Sequence, residues 1–233
     1  MPRILTIIAM AALISACSTP PPVITEDMLA FDGDMPADFS GSWERDYVRG
    51  DDINAVIGRA LYQLQRTSGD TGQSYVPRDD QEALIALARL AEEITRVQVM
   101  KITQSENEIS IDRKDDYAIF CSFFDGVSKS LESPFGVEVC GWDGDSLVSH
   151  AQLANGLRVT HRLTISPDGE QLRIITTVDS KKSRVPFTLS RFYRKFEAGA
   201  SDFNCVETLS MKRVCSTGAV SYTHLRAHET TSH

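Results

Sequence analysis

The stretch Phe135–Val178, FGVEVCGWDGDSLVSHAQLANGLRVTHRLTISPDGEQLRIITTV, decides the fold. Apolar and polar residues alternate along it, which is the period of a half-buried strand. Three turn signals interrupt the alternation: Asp143-Gly144, Asn155-Gly156 and Pro167-Asp168-Gly169. Asn-Gly and Asp-Gly are strong hairpin signals, because a type I′ turn needs positive φ at both central residues. The stretch therefore reads as an antiparallel meander.

Turn length sets the register. A two-residue turn at Asn155-Gly156 pairs Gln152 with Val159, His150 with His161 and Val148 with Leu163. A two-residue turn at Asp143-Gly144 pairs Val139 with Val148 and Val137 with His150. A four-residue turn at 167–170 pairs Ile165 with Leu172, Leu163 with Ile174 and His161 with Thr176. These registers put Phe135, Val137, Val139, Val148, Val159, Leu163, Ile165, Leu172, Ile174 and Val178 on one face. Glu138, Ser149, Arg158, Arg162, Arg173 and Thr177 take the other. A slip of one residue exchanges the faces, so three agreeing turns argue for a sheet with one buried side.

Outward from this stretch the same period marks strands at 97–103, 107–112, 117–124 and 186–195, and a first strand at Phe39–Val48. Nine strands with one apolar face must curl or find a second layer. Between the first strand and the rest the period changes. Ile53, Val56, Ile57, Ala60, Leu61 and Leu64 recur at helical spacing after Asp51-Asp52. Leu84, Leu87, Ala88, Ala91 and Ile94 do so again, after Asp79 and Glu82 in capping-box spacing. The expected fold class is mainly β with inserted helices (α+β). An antiparallel meander forms a barrel or strongly curved sheet over 39–219, with a helical insertion at 51–95.

Gly41-Ser42-Trp43 at the opening of the first strand is similar to the Gly-x-Trp signature of the lipocalin-like (calycin) barrels. Ser190-Arg191-Phe192-Tyr193-Arg194 resembles their final strand. The resemblance covers about Phe39 to Phe196 and implies an arginine, Arg191 or Arg194, stacked over Trp43 as a cation–π latch. It also implies a barrel that holds an apolar or amphipathic small molecule. The two inserted helices depart from the family, which has a loop there.

The termini are of another kind. Arg3 precedes an apolar run from Ile4 to Ile14, broken only by Thr6, and Ser15-Ala16 lead to Cys17. This is a secretory signal at 1–16, too short for a membrane span of about 20 residues. Ile14-Ser15-Ala16-Cys17 resembles the lipobox of bacterial lipoproteins, which implies acylation of Cys17 and anchoring through several acyl chains. Ser18 after the cysteine implies the outer membrane, with the domain in the periplasm of a Gram-negative bacterium. Residues 17–38, with Pro20-Pro21-Pro22, read as a tether in which Met28-Leu29-Ala30-Phe31 docks locally. Val220 to Thr230 resembles the translation of a sequencing-library adapter, so 220–233 is expected to be an artefact tail.

Composition excludes several functions. The chain carries 24 basic and 32 acidic residues, a formal net charge of −8, which disfavours nucleic acid as a partner. Besides Cys17, the cysteines are Cys121, Cys140, Cys205 and Cys215. In an oxidising compartment they suggest disulfides, and proximity favours Cys121–Cys140 and Cys205–Cys215 among three connectivities. There is no CxxC, no Gly-x-Ser-x-Gly elbow and no glycine-rich phosphate loop. No catalytic residue, metal or cofactor is assigned.

One constellation stands out. His150 and His161 are expected opposite each other on the inward face, close enough to share a ligand group. A cavity lined by Val137, Val148, His150, Val159, His161 and Leu163 follows. The leading expectation is a non-enzymatic, outer-membrane-anchored lipoprotein that binds an apolar or amphipathic small molecule. The alternative is an envelope interaction or structural module that uses the helical insertion as its partner surface. Metal-dependent activity through the two histidines ranks third, since no third inward ligand is evident.

Overall fold

The computed structural model describes residues 24–69, 75–114, 118–153, 155–197, 204–207 and 213–216. The helices are α1 (Ile53–Gly69) and α2 (Arg78–Thr95). The strands are β1 (Gly41–Gly50), β2 (Val99–Gln104), β3 (Glu108–Arg113), β4 (Ile119–Phe124), β5 (Val127–Lys129) and β6 (Leu131–Ser133). They continue with β7 (Gly136–Asp143), β8 (Ser146–Leu153), β9 (Arg158–Ile165), β10 (Gln171–Asp179), β11 (Phe187–Phe196), β12 (Asn204–Glu207) and β13 (Arg213–Ser216). All nine expected strands form, with ends displaced by no more than two residues. The short strands β5 and β6 carry too few residues to show a period, and sequence reading missed them. It also missed the separate β12–β13 pair, where Cys205 stands opposite Cys215 in the backbone register.

Eleven strands form one antiparallel sheet in the order β5-β4-β3-β2-β1-β11-β10-β9-β8-β7-β6. The chain closes on itself because β1 pairs with both β2 and β11. The result is a nearly closed barrel with one seam, between β5 and β6, which only Ser130 separates in sequence.

Two of the three hairpin registers differ from expectation. The Pro167–Glu170 turn pairs Leu172 with Ile165, Ile174 with Leu163 and Thr176 with His161, as expected. At the β7–β8 turn the central residues are Gly144 and Asp145, and Asp143 pairs with Ser146. Only Gly144 there has positive φ (58°), which is the type II′ arrangement with glycine first. Val139 then meets His150 and Val137 meets Gln152, a slide of two that leaves the relative faces unchanged. The β8–β9 loop is one residue longer than assumed. It spans 154–156, closed by Leu153 N–H donating to the Leu157 carbonyl (2.8 Å), with Gly156 left-handed at φ 81°. That single residue flips the parity, so β7 and β8 turn over together relative to β9–β11.

The seam has its own closures. A disulfide joins Cys121 of β4 to Cys140 of β7 across it. The Ser128 hydroxyl on β5 donates to the Cys140 carbonyl. The segment Met28–Phe31 docks here, as expected. Ala30 bridges to Val127, Ser128 N–H donates to the Leu29 carbonyl (2.7 Å), and Phe31 N–H donates to the Gly126 carbonyl (3.0 Å). Glycine at 141 is required, because a Cβ there would lie 2.6 Å from the Met28 carbonyl oxygen.

Both barrel ends are covered. At one end, Phe31 meets Phe123 and Trp142 edge-on at 5.3 and 6.2 Å, and Phe39 stacks on Trp142 at 5.9 Å. Trp142 is therefore buried. At the other end, α1 and α2 lay Val56, Ala60, Leu64, Leu84, Leu87 and Ala88 over Val178, Phe187 and Leu189. Asp52 caps α1 by accepting from Ala55 N–H (2.8 Å). The capping box expected at α2 does not form. Pro77 takes the cap position without a side-chain bond, and Glu82 pairs instead with Arg78 (2.7 Å).

The latch over the first-strand tryptophan also differs. Trp43 pairs with Lys195, whose Nζ lies 5.6 Å from the indole centroid. Arg194 points the other way, to Glu44 (2.9 Å). Arg191 is four residues from the pairing position and reaches the helices instead.

Removing the seam disulfide with Cys121→Ala/Cys140→Ala is expected to cost about 3 kcal/mol, for a closed loop of this length. Urea unfolding measures this. Amide exchange should show β5 and the Met28–Phe31 segment losing protection first.

Candidate ligand site inside the barrel beneath the second helix

The flipped parity of β7 and β8 rearranges the expected cavity. Val159, His161 and Leu163 of β9 face inward. Val137, Val148 and His150 face outward, and Val137 is 41% exposed. In their place Cys140, Trp142, Leu147 and Ser149 line the interior. The expected site is therefore two half-sites on opposite faces. His150 pairs with Thr160 and His161 with Ser149, so the imidazoles are not opposed. His150 Nδ1 bonds Thr160 Oγ1 at 2.8 Å on the outer face. Burial, then the Arg158 charge, lower its pKa below the ordinary imidazole value. A ligand or metal ion held between the two histidines is excluded by this geometry. Among the described residues no group of three or more His, Cys, Asp and Glu is placed to hold a metal. Cys205 and Cys215 have side chains outside the described residues, so only Cys121–Cys140 is established.

What the barrel does enclose lies just beneath α2. A cavity of about 20 Å³ is bounded by Ile94, Thr95 and Val97 above. Met100, Ile111, Arg113, Ile119, His161, Leu163, Ile174, Thr176, Arg191 and Tyr193 form its walls. Mixed polarity arises because polar residues occupy inward positions of otherwise apolar strands. In β11 the inward set is Phe187, Leu189, Arg191 and Tyr193. Alternation alone marks Arg191 as an arginine on an apolar face, the signal by which sequence reading had access to it. Arg113 and Thr95 gave no such signal, because they end their elements.

Arg191 is 4% exposed. Its Nη1 donates to the Asp51 carbonyl (2.6 Å) and its Nη2 pairs with Glu92 of α2. Its Nε–H has no partner among the described residues, and neither has the buried Thr95 hydroxyl on the same cavity. A buried donor without an acceptor costs about 1–3 kcal/mol. His161 Nδ1 bonds Thr176 Oγ1 at 2.9 Å. Desolvation, helped by the Arg113 charge, pushes the His161 pKa down to about 3, so the imidazole is neutral in the folded protein. Tyr193 donates to the Val97 carbonyl (3.2 Å), and burial pushes its pKa up to about 12. The wall thus offers neutral and cationic donors and no carboxylate among its lining residues; Glu92, which Arg191 engages, lies behind it. Its chemistry suits an acceptor or an anion of very small size.

No protein-family model matches this chain, and no curated protein matches it.

The His161 environment predicts a pH effect. Folded, the imidazole stays neutral to about pH 3; unfolded, it titrates near 6.5. Between those values the unfolded state binds the extra proton, so stability falls as pH falls. The thermal midpoint should drop from pH 6.5 to about 4, with a shallower slope in His161→Gln, which keeps a partner for Thr176. Equal slopes in the two proteins would refute this assignment.

Proposed function

We propose that this chain is a non-enzymatic, lipid-anchored envelope protein whose barrel serves as a packed scaffold and whose two-helix cap meets a partner protein. The observation that carries the reading is the filled interior. Ligand pockets for small organic molecules run to about 300–1,000 Å³, against a cavity of about 20 Å³ here. The seam is bridged, one end is plugged by Phe31 and Phe39, and the other is capped by α1 and α2. With the interior filled, the surface is left to do the work. The cap carries two exposed tyrosines, Tyr62 on α1 and Tyr75 ahead of α2. Tyrosine is enriched at interfaces, where its ring and hydroxyl both find use. The anchor rests on the lipobox ending in Cys17, and outer-membrane placement on Ser18. Among the described residues no helix is long and apolar enough to cross a membrane.

A second reading keeps the small-molecule role, and the unpartnered Arg191 Nε–H and Thr95 hydroxyl favour it. The ligand would be a small apolar molecule with an acceptor or anionic head, admitted by movement of α2.

Native mass spectrometry and solvent extraction of the protein purified from membranes separate the two. The scaffold reading expects the acylated chain alone. A stoichiometric small molecule, lost in Thr95→Val, would establish the second reading and displace the first. Photo-crosslinkers at Tyr62 and Tyr75 should yield a shared adduct that is absent at Thr164 on the outer face of β9.

A further inference from the structure

Among the described residues, the large apolar side chains standing in solvent are concentrated in one place. Five of the nine, Phe124, Val127, Leu131, Phe135 and Val137, fall within residues 124–137, the segment that builds both sides of the seam. Phe124 and Val127 pair across the β4–β5 turn, and Val137 lies outward on β7 with the adjoining Phe135. Their exposures are 62% and 51% on one flank, 61% and 41% on the other. Concentrated apolar exposure on a protein surface marks a site of contact.

The chain itself indicates what covers it. The Met28–Phe31 strap lies at the seam, with Met28 against Gly141 on the same strand as Val137. Met28 lies eleven positions after Cys17. Fully extended, a chain of that length reaches only about 40 Å. An acylated Cys17 therefore holds the Met28–Phe31 strap, and the seam beside it, within about 40 Å of the bilayer. The cap is turned elsewhere, because β11, on which the helices rest, is the middle strand of the sheet and β5 and β6 are its edges.

We propose that the outer face of the seam docks on the lipid surface that holds the anchor, with Phe124, Val127, Phe135 and Val137 entering the interfacial layer. Lys129, with its Nζ 4.8 Å from the Phe124 ring centroid, supplies a cation beside the aromatic. Asp125 and Glu132 share the segment, Glu138 follows it, and the chain is acidic overall, so contact is apolar in origin and does not need anionic lipid. The proposal rests on Cys17 being the acylated residue.

The test uses the full chain with its anchor, in vesicles of phosphatidylethanolamine and phosphatidylglycerol with or without bromine on the acyl chains. Tryptophan is introduced by Phe124→Trp, Phe135→Trp or, on the cap, Tyr62→Trp. Interfacial side chains sit about 5–10 Å into the headgroup and acyl boundary, so bromine should remove about half of the added emission at 124 and 135. The emission added at 62 should be unchanged. Mass spectrometry of the N-terminal peptide reports acylation in the same samples. Acylated Cys17 with equal quenching at all three positions, or with none, overturns the docking and leaves the anchor intact. Unmodified Cys17 overturns both. The vesicles hold no other protein, so a face that needs a protein partner shows no quenching and counts against the proposal.

Discussion

A curled sheet of eleven strands ends in two edges, and an exposed edge is an invitation to pair with another chain. Here the edges are kept to three residues each, and the closure is covalent. The Cys121–Cys140 bridge skips both edge strands and ties β4 directly to β7. Around it the N-terminal segment adds a bridge at Ala30 and drives the Phe31 ring among Phe123 and Trp142. The interior cluster that includes Trp43, Met100, Leu147, Leu163 and Leu172 depends on that closure, since an open sheet of this width would expose the same face to water.

How much of this was readable from residues depended on turn chemistry. Alternation alone located every long strand, and the helical stripes located both inserted helices. The β9–β10 faces were legible because a proline-containing four-residue turn leaves little freedom in register. The β7–β8 pair was not. Asn155-Gly156 looked like the two centres of a tight turn, yet the loop takes one residue more and places Gly156, and not Asn155, in the left-handed region. A strand cannot reveal such a choice by its own pattern when both faces carry apolar residues. Val137, Val139 and Val148 on one side match Leu147 and Trp142 on the other, so either parity satisfies the burial rule. The candidate site failed for this reason, and the two histidines stood on opposite faces.

Arg191 shows what the inward polar residues do. A guanidinium at 4% exposure needs partners, and it finds them outside its own sheet, at the Asp51 carbonyl and at Glu92 on α2. Asp51 in turn accepts from Ser190 N–H and donates its own N–H to the Ser190 carbonyl. The junction of β1, α1, α2 and β11 is therefore one hydrogen-bonded unit. Removing Glu92 leaves the buried guanidinium without its counter-charge, which is destabilising. The Arg191 side chain ties the cap to the barrel beside the apolar contact between them.

The seating of the N-terminal segment also has a mechanical consequence. Tension applied upstream of Met28 reaches the barrel through the hydrogen bonds from Phe31 N–H to the Gly126 carbonyl and from Ser128 N–H to the Leu29 carbonyl, and through the ring of Phe31. Those contacts are few and lie at the surface, so they peel under force. Behind them the chain runs on through Phe39 to β1, which is paired on both sides within the sheet. The segment thus acts as a fuse: it gives way in stages, and the eleven-stranded wall behind it keeps its shape.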